Sequence, residues 1–409
     1  MKPGLHRGLR SALTLLVATL FSPMLAAECL GWIENDRARL EVLVRLSDER
    51  LDTVSAIAEV KWQQQLPVFD PARESVMYAA IAARAEAAAL QPEGVVDFFR
   101  WQVARSRARQ EARIAQLNAA PTDTPSVEGD LSALRGEIDR INGALIEALY
   151  IAAPLFSDTE LLQSLLPVAG ADDVPAWLRH LAPVARQPAL STERRVTASG
   201  LLLVGLTGDY PPFSSRTPAG CIVGADVGRV ERLAQALKVQ LRLVRTTWAE
   251  LSADLTAGRF DLAAGGITVT ATRRQTGLFT VPYHYGGKNA IGRCSDRARF
   301  PDWAHIDRPG VRLITNPGGT NERYVREHAR AARITVHTDN LSVFEEIVAK
   351  RADVMVTDDV EIDLQTAHHP TLCRLLPDNL TRHEKAFYLP PDEAWQRQLN
   401  RWSEEAGLP

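Results

Sequence analysis

The chain has 409 residues, of which 45% are hydrophobic and 24% are charged. This composition is typical of two or three folded domains and excludes a disordered chain. The net charge of -3 gives no electrostatic basis for nucleic-acid binding, so any anion site must be local.

The first 27 residues have the three-part pattern of a secretory signal peptide. The basic start MKPGLHRGLR is followed by the apolar run ALTLLVATLF and by SPMLAAE, whose small residues predict cleavage after Ala27. The apolar run is too short to span a bilayer comfortably, and no later segment has about eighteen uninterrupted apolar residues. We therefore expect an exported, periplasmic protein with no membrane attachment once the signal is removed.

Four cysteines remain after this segment, namely Cys29, Cys221, Cys294 and Cys373. They allow three pairings, and no pair has the spacing of zinc ligands. We predict a Cys294–Cys373 disulfide, because both residues fall late in one domain and export permits oxidation. Buried free thiols are the alternative interpretation.

Residues 28–185 are predicted to form an all-helical domain. Ala, Leu, Arg and Glu dominate, and ESVMYAAIAARAEAAAL and VVDFFRWQVARSRARQEARIAQL have helical spacing. The segment 118–130 interrupts the pattern with Pro, Thr and Gly, so it is predicted to be a loop. An apolar helix follows it, and a shorter helix is predicted at 173–182. Residues 186–200 are predicted to be an interdomain linker.

From residue 201 to residue 409 the pattern changes to short apolar strands that alternate with helices. GLLLVGL, QLRLVRT and FDLAAGGITV are predicted strands, and the alternation resumes with RLITN, ITVHT and ADVMVTD. Such alternation predicts mostly parallel sheets with helices on their faces. We expect a multidomain protein whose C-terminal domain has two α/β lobes with a ligand cleft between them.

In the helical half, ERLDTVSAIAEVKW places two cations along an apolar stripe. Arg50 and Lys61 are eleven residues apart, about three helical turns, so they lie on nearly the same face as Val54 and Ile57. Charges on an apolar face are unfavourable unless they are paired. Side chains that reach out to water from the edge of the face are the alternative interpretation for this pair.

Other polar residues of the helical half favour a shared cavity. Arg73 follows Asp70 by three residues, Ser106 and Gln110 are four residues apart on one helix, and Arg135 lies on the helix after the loop. No nucleophile, general base or metal cluster accompanies them. Such a cavity would hold a small dianion and polarise an ether or carbonyl oxygen. Electrostatic stabilisation and conformational restraint alone can catalyse a unimolecular rearrangement.

The segment ERLDTVSAIAEVKWQQQLPVFDPAR, together with DLSALRGEIDRINGAL after the loop, resembles the all-helical chorismate mutases, in particular their exported subclass. The resemblance implies that chorismate rearranges to prephenate here; exported mutases are commonly homodimers. It implies that Lys61 and Gln110 bond the ether oxygen. The remaining residues would hold the carboxylates and the hydroxyl of the substrate: Arg50, Arg73, Arg135, Ser106 and Asp70.

In the α/β half, two loops carry groups suited to a carboxylate. GDYPPF follows the first strand, where α/β sheets present ligand loops, and supplies Asp209 and Tyr210 as wall residues. GGITVTATRR follows a later strand and brings Gly266, Thr268 and Arg273 to the same sheet edge. An amide, a hydroxyl and a guanidinium form a good carboxylate clamp.

The α/β half has three further candidates, and two of them have two interpretations each. NPGGTNE joins a Gly-rich turn to a helix start, where free N–H groups favour anions. Trp248 is predicted either as an aromatic wall or as a packing residue. Lys288 either neutralises a second carboxylate or is a surface lysine.

These features resemble the periplasmic amino-acid-binding proteins over residues 200–405. TGDYPPFS, GRFDLAAGGI, RPGVRLITNPGGTNE and HTDN resemble more closely the periplasmic cyclohexadienyl dehydratases, which are built on that fold. The resemblance implies that Arg273, helped by Thr268 and Thr320, grips a carboxylate. Asp358 matches the place where a carboxylate receives a ligand's amino group. The resemblance to the dehydratases also implies conversion of prephenate to phenylpyruvate and of arogenate to phenylalanine.

That reaction needs a general acid. The hydroxyl leaving group must be protonated as CO2 is lost and the ring aromatises. The acid must stay protonated near neutral pH, so its carboxyl group should be desolvated. We predict Glu322 as this acid; a first-turn glutamate that only favours its helix N-terminus is the alternative.

Our main hypothesis is therefore a bifunctional enzyme of phenylalanine biosynthesis that needs no metal, nucleotide or organic cofactor. Its partners would be the small molecules chorismate, prephenate and arogenate. A flexible linker between the domains would provide proximity only. The competing hypotheses are a solute receptor with no turnover in the second domain, and a mutase whose second domain is regulatory.

Overall fold

The computed structural model describes residues 32–119, 130–187 and 190–407. The predicted signal peptide, Cys29, most of the predicted loop at 118–130 and two residues of the predicted linker lie outside these ranges. No helix within them is both long enough and apolar enough to cross a membrane.

The N-terminal domain is helical, as predicted, except for one short strand at its start. The strand is β1 (Trp32–Ile33), and the helices are α1 (Asp36–Gln63), α2 (Pro71–Ala87), α3 (Pro92–Ala119), α4 (Leu131–Ala152), α5 (Thr159–Leu165) and α6 (Val174–Leu181). Helix α6 confirms the helix predicted at 173–182. Asparagine or aspartate side chains accept backbone N–H bonds at the starts of α1, α2, α4, α5 and α6, which explains where these helices begin.

The core of this domain lies where α1, α3 and α4 pack together. Leu40, Phe98, Phe99 and Leu145 are completely buried, and Trp177 of α6 packs against Phe98 with ring centroids 6.0 Å apart. Burial of these large apolar side chains stabilises the domain by about 25 cal/mol per Å² of apolar surface removed from water.

The C-terminal domain consists of two α/β lobes, as predicted. Its helices are α7 (Thr192–Ser199), α8 (Ala225–Leu237), α9 (Leu251–Thr256), α10 (Ala271–Arg274), α11 (Trp303–Ile306), α12 (Thr320–His328), α13 (Val343–Val348), α14 (Asp359–His368) and α15 (Glu393–Glu405). Its strands are β2 (Leu201–Leu206), β3 (Asp209–Tyr210), β4 (Ser214–Arg216), β5 (Ile222–Val223), β6 (Gln240–Arg245), β7 (Leu262–Ala263), β8 (Leu278–Phe279), β9 (His284–Gly286), β10 (Lys288–Arg293), β11 (Arg312–Thr315), β12 (Arg333–Val336), β13 (Val354–Asp358), β14 (Leu372–Arg374), β15 (His383–Lys385) and β16 (Tyr388–Leu389).

Each lobe has its own sheet. Lobe 1 has the strand order β1-β6-β2-β7-β16-β8, with β6, β2 and β7 parallel, and lobe 2 has the order β12-β11-β13-β10-β14. The chain crosses between the lobes twice, where β9 and β15 pair antiparallel. The cleft between the lobes therefore lies beside a two-stranded hinge.

Two expectations about secondary structure need correction. The predicted strand FDLAAGGITV contains only the two-residue strand β7, because Gly265 and Gly266 take φ angles of +102° and +74°, which turn the chain out of the sheet. The segment predicted as a linker contains a helix, because residues 192–199 form α7, which Ser191 caps.

The predicted disulfide between Cys294 and Cys373 is confirmed, with 4.9 Å between the Cα atoms. It ties the segment after β10 to β14 within lobe 2. Cys221 is also disulfide-bonded.

The two domains pack against each other. Strand β1, which precedes the first helix, pairs parallel with β6 of lobe 1, with Trp32 opposite Leu243 and Ile33 opposite Val244. One continuous apolar core includes Tyr150 of the helical domain and Leu201 of lobe 1. The picture of two domains joined only by a flexible linker is therefore wrong.

Two arginines join the domains at this interface. The Arg39 guanidinium, 3% exposed as a residue, donates to the backbone oxygens of Ile151 and Arg259, over 3.2 and 3.3 Å. Arg186 donates to the backbone oxygens of Tyr150 and Gly258. Each guanidinium thus spans both domains and satisfies carbonyl groups that the interface removes from water.

We expect Arg39→Ala to lower the free energy of unfolding by roughly 2–4 kcal/mol, because it leaves a cavity and two carbonyl oxygens without a partner. Arg37→Ala on the same helix is the control, since Arg37 makes only an exposed pair with Glu41 and should change stability by about 0.5 kcal/mol or less. Urea titrations of both variants measure the difference. Equal stability of the two variants would contradict a fastening role for Arg39.

Candidate active sites

The predicted polar residues of the helical domain line one cavity of about 180 Å³. Helices α1, α2, α3 and α4 all contribute to its walls. The predicted residues that line it are Arg50, Lys61, Asp70, Arg73, Ser106, Gln110 and Arg135. Apolar side chains, among them Val54, Ile57 and Ile138, complete the walls. The helical spacing therefore placed these groups together as expected.

Arg50 is a buried cation that has no carboxylate partner among the residues that the structure describes. It is 3% exposed as a residue and donates to the side chains of Asn142 and Ser106, over 3.0 and 2.5 Å, and to the backbone oxygen of Gln102 over 3.4 Å. Burial lowers the pKa of Arg50 to about 10, so it stays protonated at neutral pH. Its unneutralised charge favours an anion in the cavity.

Lys61, Arg73 and Arg135 line the same cavity, and their charges repel each other. Burial, followed by the charges of Arg135 and Arg73, lowers the pKa of Lys61. Burial and the charge of Arg135 lower the pKa of Arg73. The Lys61 ammonium donates to the backbone oxygen of Val68 over 2.9 Å, in the loop between α1 and α2. Asp70 caps α2 by accepting from the Arg73 N–H, so its carboxylate also fixes the helix that carries Arg73.

Gln110 supplies a neutral amide in the same cavity. It is 8% exposed, its Nε2 donates to the backbone oxygen of Ser106 over 3.4 Å, and its Oε1 has no hydrogen-bond partner. Because the amide oxygen and nitrogen of glutamine exchange by a flip, this end of the side chain is available to a ligand as donor or acceptor.

Sequence reasoning missed three residues that shape this cavity. Arg107 and Glu74 both line it and form an ion pair, with bonds of 2.9 and 3.1 Å. Asn142 orients Arg50 from α4. The Ser106/Gln110 spacing predicted which helix contributes to the cavity. It did not predict Arg107, because the partner of Arg107 is 33 residues away in the sequence. Five cations and two carboxylates leave the cavity with a net positive charge.

In the C-terminal domain, a narrow cleft of about 20 Å³ lies between the lobes. The predicted residues that line it are Tyr210, Trp248, Gly266, Thr268, Arg273, Thr320 and Asp358. Asparagines 316, 321 and 340 and Lys385, which sequence reasoning missed, complete the lining. No group of three or more His, Cys, Asp or Glu suited to a metal occurs in the part of the chain that the structure describes.

Asp358 is the electrostatic centre of this cleft. Lys288 donates to its Oδ1 over 3.0 Å, and Lys385 and Tyr210 donate to its Oδ2 over 2.7 and 2.5 Å. Burial alone would raise the pKa of Asp358, but the two ammonium groups hold it well below its usual value. Two cations and one anion leave one positive charge at the floor of the cleft.

This cluster excludes one of the two interpretations of Lys288, that of a surface lysine. The residue is 4% exposed and also donates to the side chains of Thr320 and Asn321, so it is not a surface lysine. It lies beneath the cleft rather than in its wall. Lys385 lies at the hinge strand β15 and also contacts the Gly266 carbonyl and the Thr268 hydroxyl.

Arg273 is the cation at the upper part of the clamp. It is the third residue of α10, whose start Thr270 caps, and it donates to the Thr268 backbone oxygen over 2.8 Å. Burial lowers the pKa of Arg273 to about 10. Trp248 lines the cleft and donates through Nε1 to Asp209 Oδ1 over 3.1 Å. Asp209 therefore holds the aromatic wall in place and is not itself among the lining residues, which corrects its predicted wall position.

Glu322 lies on the first turn of α12, directly after the lining residues Thr320 and Asn321. Its carboxylate accepts from the Gly318 N–H over 2.7 Å and pairs with Arg326 at 2.7 Å. The Gly318 bond and the Arg326 guanidinium lower the pKa of Glu322. The desolvated, protonated state that we predicted is not present in this arrangement, because the carboxyl group is partly exposed and stabilised as an anion.

A buried carboxyl group whose pKa is raised, where that of Glu322 is lowered, lies behind the cleft. Glu361 of α14 is 1% exposed, and burial raises its pKa to about 8. The Thr357 hydroxyl bonds its carboxyl group and also accepts from Asn321 Nδ2 over 3.0 Å. Sequence reasoning missed Glu361 because a glutamate in a first helical turn is usually solvated.

Comparison with known proteins shows that two parts of the chain match two different families. Residues 202–404 match the family of bacterial extracellular solute-binding proteins, family 3, and residues 41–111 match chorismate mutase type II. Cyclohexadienyl dehydratase of Pseudomonas aeruginosa is 43% identical over 237 residues, which cover 57% of this chain and 88% of the relative.

Two further relatives match one domain each. Secreted chorismate mutase of Mycobacterium tuberculosis is 28% identical over 135 residues, which cover 33% of this chain and 64% of that protein. The L-cystine-binding protein TcyJ of Escherichia coli is 26% identical over 164 residues, which cover 40% of this chain and 61% of that protein. The chain therefore spans less than two thirds of the length of each of these two relatives.

We expect Gln110→Glu to make the reaction of the helical cavity strongly pH-dependent. A glutamine amide donates a hydrogen bond at any pH, whereas a glutamate donates only when protonated, and the surrounding cations favour its ionised form. The catalytic efficiency toward chorismate should fall at least about tenfold at pH 7.5 and recover in part near pH 5. Gln116→Glu, at an exposed position of the same helix, should leave the profile unchanged. A flat profile for Gln110→Glu would contradict contact with the reacting atoms.

We expect Glu361→Gln to flatten the pH dependence of stability. Because the folded-state pKa of Glu361 lies above its unfolded value, the folded state binds more protons, and stability falls as the pH rises from about 4.5 to about 8. The slope approaches about 1.4 kcal/mol per pH unit within this window. Because the pKa of His383 is lowered to about 4 by burial, His383 contributes an opposite slope below about pH 6.5. Urea titrations at several pH values should therefore show a difference of this size between Glu361→Gln and the parent, whereas the exposed control Glu345→Gln should match the parent. An unchanged slope would show that Glu361 is ionised in the folded protein.

Proposed function

We propose that this chain, which belongs to the cyclohexadienyl dehydratase family and carries a type II chorismate mutase domain at its N-terminal side, converts chorismate to prephenate and then prephenate to phenylpyruvate. The observation that carries the proposal is the pairing of two anion sites on one chain. The cavity with five cations lies in the N-terminal domain, and the cleft lies in the C-terminal domain, which is similar to a cyclohexadienyl dehydratase. The product of the first reaction is the substrate of the second.

In the helical cavity, the cations and the neutral amide have different tasks. Arg50 and Arg135 hold the two carboxylates of chorismate, with Ser106 beside Arg50. Arg73 and Asp70 face the hydroxyl side. Chorismate then stays in the compact conformation that the rearrangement requires.

The bond changes in this step need no proton transfer to the protein. The C–O bond of the ether breaks while a new C–C bond forms within the same molecule. Negative charge grows on the ether oxygen in the transition state, and the Lys61 ammonium and the Gln110 amide donate to it. Donors fixed before the reaction lower the barrier without reorganisation.

In the cleft, Arg273 grips the carboxylate of the pyruvyl side chain, with Thr268 and Thr320 beside it. The ring carboxylate leaves as CO2, its C–C electron pair enters the ring, and the ring hydroxyl leaves as water once it is protonated. The buried ammonium groups of Lys288 and Lys385 give the floor its positive charge. The same steps on arogenate would yield phenylalanine.

Glu322 remains our candidate for the acid, with one added requirement. In the arrangement described it is ionised, so the substrate must raise its pKa. A bound dianion does so by charge repulsion, and closure of the lobes does so by removing water from the carboxyl group. Glu322 thus loses its proton to the hydroxyl only in the closed, occupied cleft.

The alternative is a receptor for an amino acid in the C-terminal domain. The kinship with TcyJ and the carboxylate at Asp358 favour this alternative. Against it, Lys288, Lys385 and Tyr210 already occupy the oxygens of Asp358 that would receive an amino group.

The relatives that are secreted indicate export of this chain. We propose the periplasm as its compartment, with a homodimer as the assembly that the exported mutases suggest. Light scattering of the purified protein tests the assembly.

Purified protein given chorismate should produce prephenate first and phenylpyruvate after a lag. Lys61→Ala should reduce chorismate consumption at least about 100-fold, because it removes a donor used in the transition state, and should still convert supplied prephenate. Arg45→Ala, at an exposed position of the same helix, is the control. Chromatography of all three compounds over time measures both steps. Equal loss of both activities in Lys61→Ala would contradict two independent sites.

Glu322→Gln should abolish dehydration while prephenate binding stays within about threefold of the parent, because glutamine keeps the shape but carries no proton to transfer. Glu327→Gln, on the same helix, should behave like the parent. Tight amino-acid binding without any phenylpyruvate from prephenate in the parent protein would favour the receptor instead. Full activity of Glu322→Gln would leave dehydration without an assigned acid.

A further inference from the structure

Arg107 joins two walls of the helical cavity. It lies on α3 among the lining residues, and its Nη2 donates to both carboxylate oxygens of Glu74 on α2, over 2.9 and 3.1 Å. Its guanidinium group also lies over the ring of Phe69, with Cζ 4.2 Å from the ring centroid. Phe69 belongs to the segment between α1 and α2. The start of α2 and the segment before it therefore both meet α3 at this one side chain.

The partner of Arg107 is a carboxylate in the wall of a site for a dianion. Glu74 lines the same cavity as Lys61. The pKa of Lys61 is lowered first by burial and then by neighbouring cations, and the charge of Glu74 opposes this shift. The Glu74 charge therefore acts on the Lys61 ammonium group. Without a partner of its own, the Glu74 carboxylate would pair with that ammonium group and repel an incoming dianion.

The segment that carries Phe69 also contacts Lys61. The Lys61 ammonium group donates to the Val68 backbone oxygen over 2.9 Å, and Val68 directly precedes Phe69. The packing of the Arg107 guanidinium group on the Phe69 ring is a cation–π contact, which favours one arrangement of this segment. Arg107 therefore affects Lys61 by two routes, through the charge of Glu74 and through the segment that contains Val68.

Direct contact with the substrate is the competing role for Arg107. Its Nε is buried and has no hydrogen-bond partner within the described ranges. However, its Nη2 already bonds Glu74, and 37% of its side chain is exposed to water. A partly exposed guanidinium group whose charge is compensated contributes little to the electrostatic field inside a cavity. This geometry favours a role that is exerted through Glu74.

We propose that Arg107 is a positioning residue for the rearrangement of chorismate. By pairing with Glu74, it keeps that carboxylate away from the Lys61 ammonium group, which stays available to the ether oxygen of the substrate. Arg107 makes no contact with the reacting atoms in this role. The inference rests on the proposed function of the helical cavity.

A double-mutant cycle of Arg107 and Glu74 tests this role. Arg107→Met removes the charge and keeps much of the volume, so Glu74 becomes a bare carboxylate in the cavity wall. The catalytic efficiency toward chorismate should then fall at least about tenfold, with a lower kcat as well as a higher KM, because Lys61 pairs with Glu74. Glu74→Gln should cost at most about threefold, and adding Arg107→Met to it should cost at most about twofold more.

Two further variants serve as references. Arg109→Met, at an exposed position of the same helix, is the matched control and should behave like the parent. Arg107→Lys keeps a positive charge without the planar group, and it should recover at least about threefold of the efficiency that Arg107→Met loses. Urea titrations of all variants check that each one is folded under the assay conditions.

Three other patterns would overturn the proposal. An equal loss from Arg107→Met with and without Glu74→Gln would assign direct substrate contact to Arg107. Equal losses in Arg107→Met and Glu74→Gln would make the ion pair a structural link between α2 and α3 only. Full activity of Arg107→Met would exclude both roles.

A failure of the proposed function has a different signature. In that case the parent protein itself would not convert chorismate, whereas the three patterns above all require an active parent. The same cycle can then be measured as Kd values, by isothermal titration of chorismate into each variant. Arg107→Met should weaken this binding at least about fivefold in the parent background and at most about twofold beside Glu74→Gln. Equal weakening in both backgrounds would contradict a role through Glu74.

Discussion

The helical domain holds a guanidinium group out of water, and no carboxylate within its described ranges, 32–119 and 130–187, pairs with that group. Arg50 is surrounded by neutral acceptors from Asn142, Ser106 and Gln102, which satisfy its N–H groups but not its charge. Isolated buried charge is unfavourable by several kcal/mol, and that energy is recovered when an anion enters. The arrangement of α1, α3 and α4 serves this one requirement, since each helix supplies either the cation or an acceptor for it.

The cleft also contains buried cations, but there the protein supplies a counter-charge. There the positive charges of Lys288 and Lys385 are balanced in part by Asp358, so the protein itself supplies most of the counter-charge. The helical cavity keeps its charge unbalanced and stays larger. Two anion sites on one chain thus differ in whether the protein or the ligand supplies the counter-charge.

The sequence predicted the parts of these sites that depend on local spacing. Arg50 and Lys61 share a helix face because of the helical period, and Gly266, Thr268 and Arg273 lie within one segment of eight residues. It did not predict groups whose neighbours are distant in the chain. Lys385 reaches Asp358 only because the hinge strand β15 returns beside it, and Arg107 meets Glu74 across two helices.

Local sequence patterns gave wrong or no predictions where tertiary contacts determine the protonation or burial of a side chain. The first-turn position of Glu322 gave a plausible acid, but the Gly318 N–H and Arg326 favour its anion. Glu361 gave no signal, since its burial follows from the packing of α14 on lobe 2. The packing between the domains was likewise hidden, because a two-residue strand has no recognisable pattern of its own.

That short strand has a consequence for how the protein reaches its final form. Because β1 joins the outer edge of β6, the edge of lobe 1 is covered by a piece of chain that was made more than 200 residues earlier. An uncovered edge is a template for association with other chains. Contacts between such distant positions form late, after much of the intervening chain has ordered. The helical domain therefore acts for its neighbour as a built-in shield against self-association, and lobe 1 expressed alone would lack it.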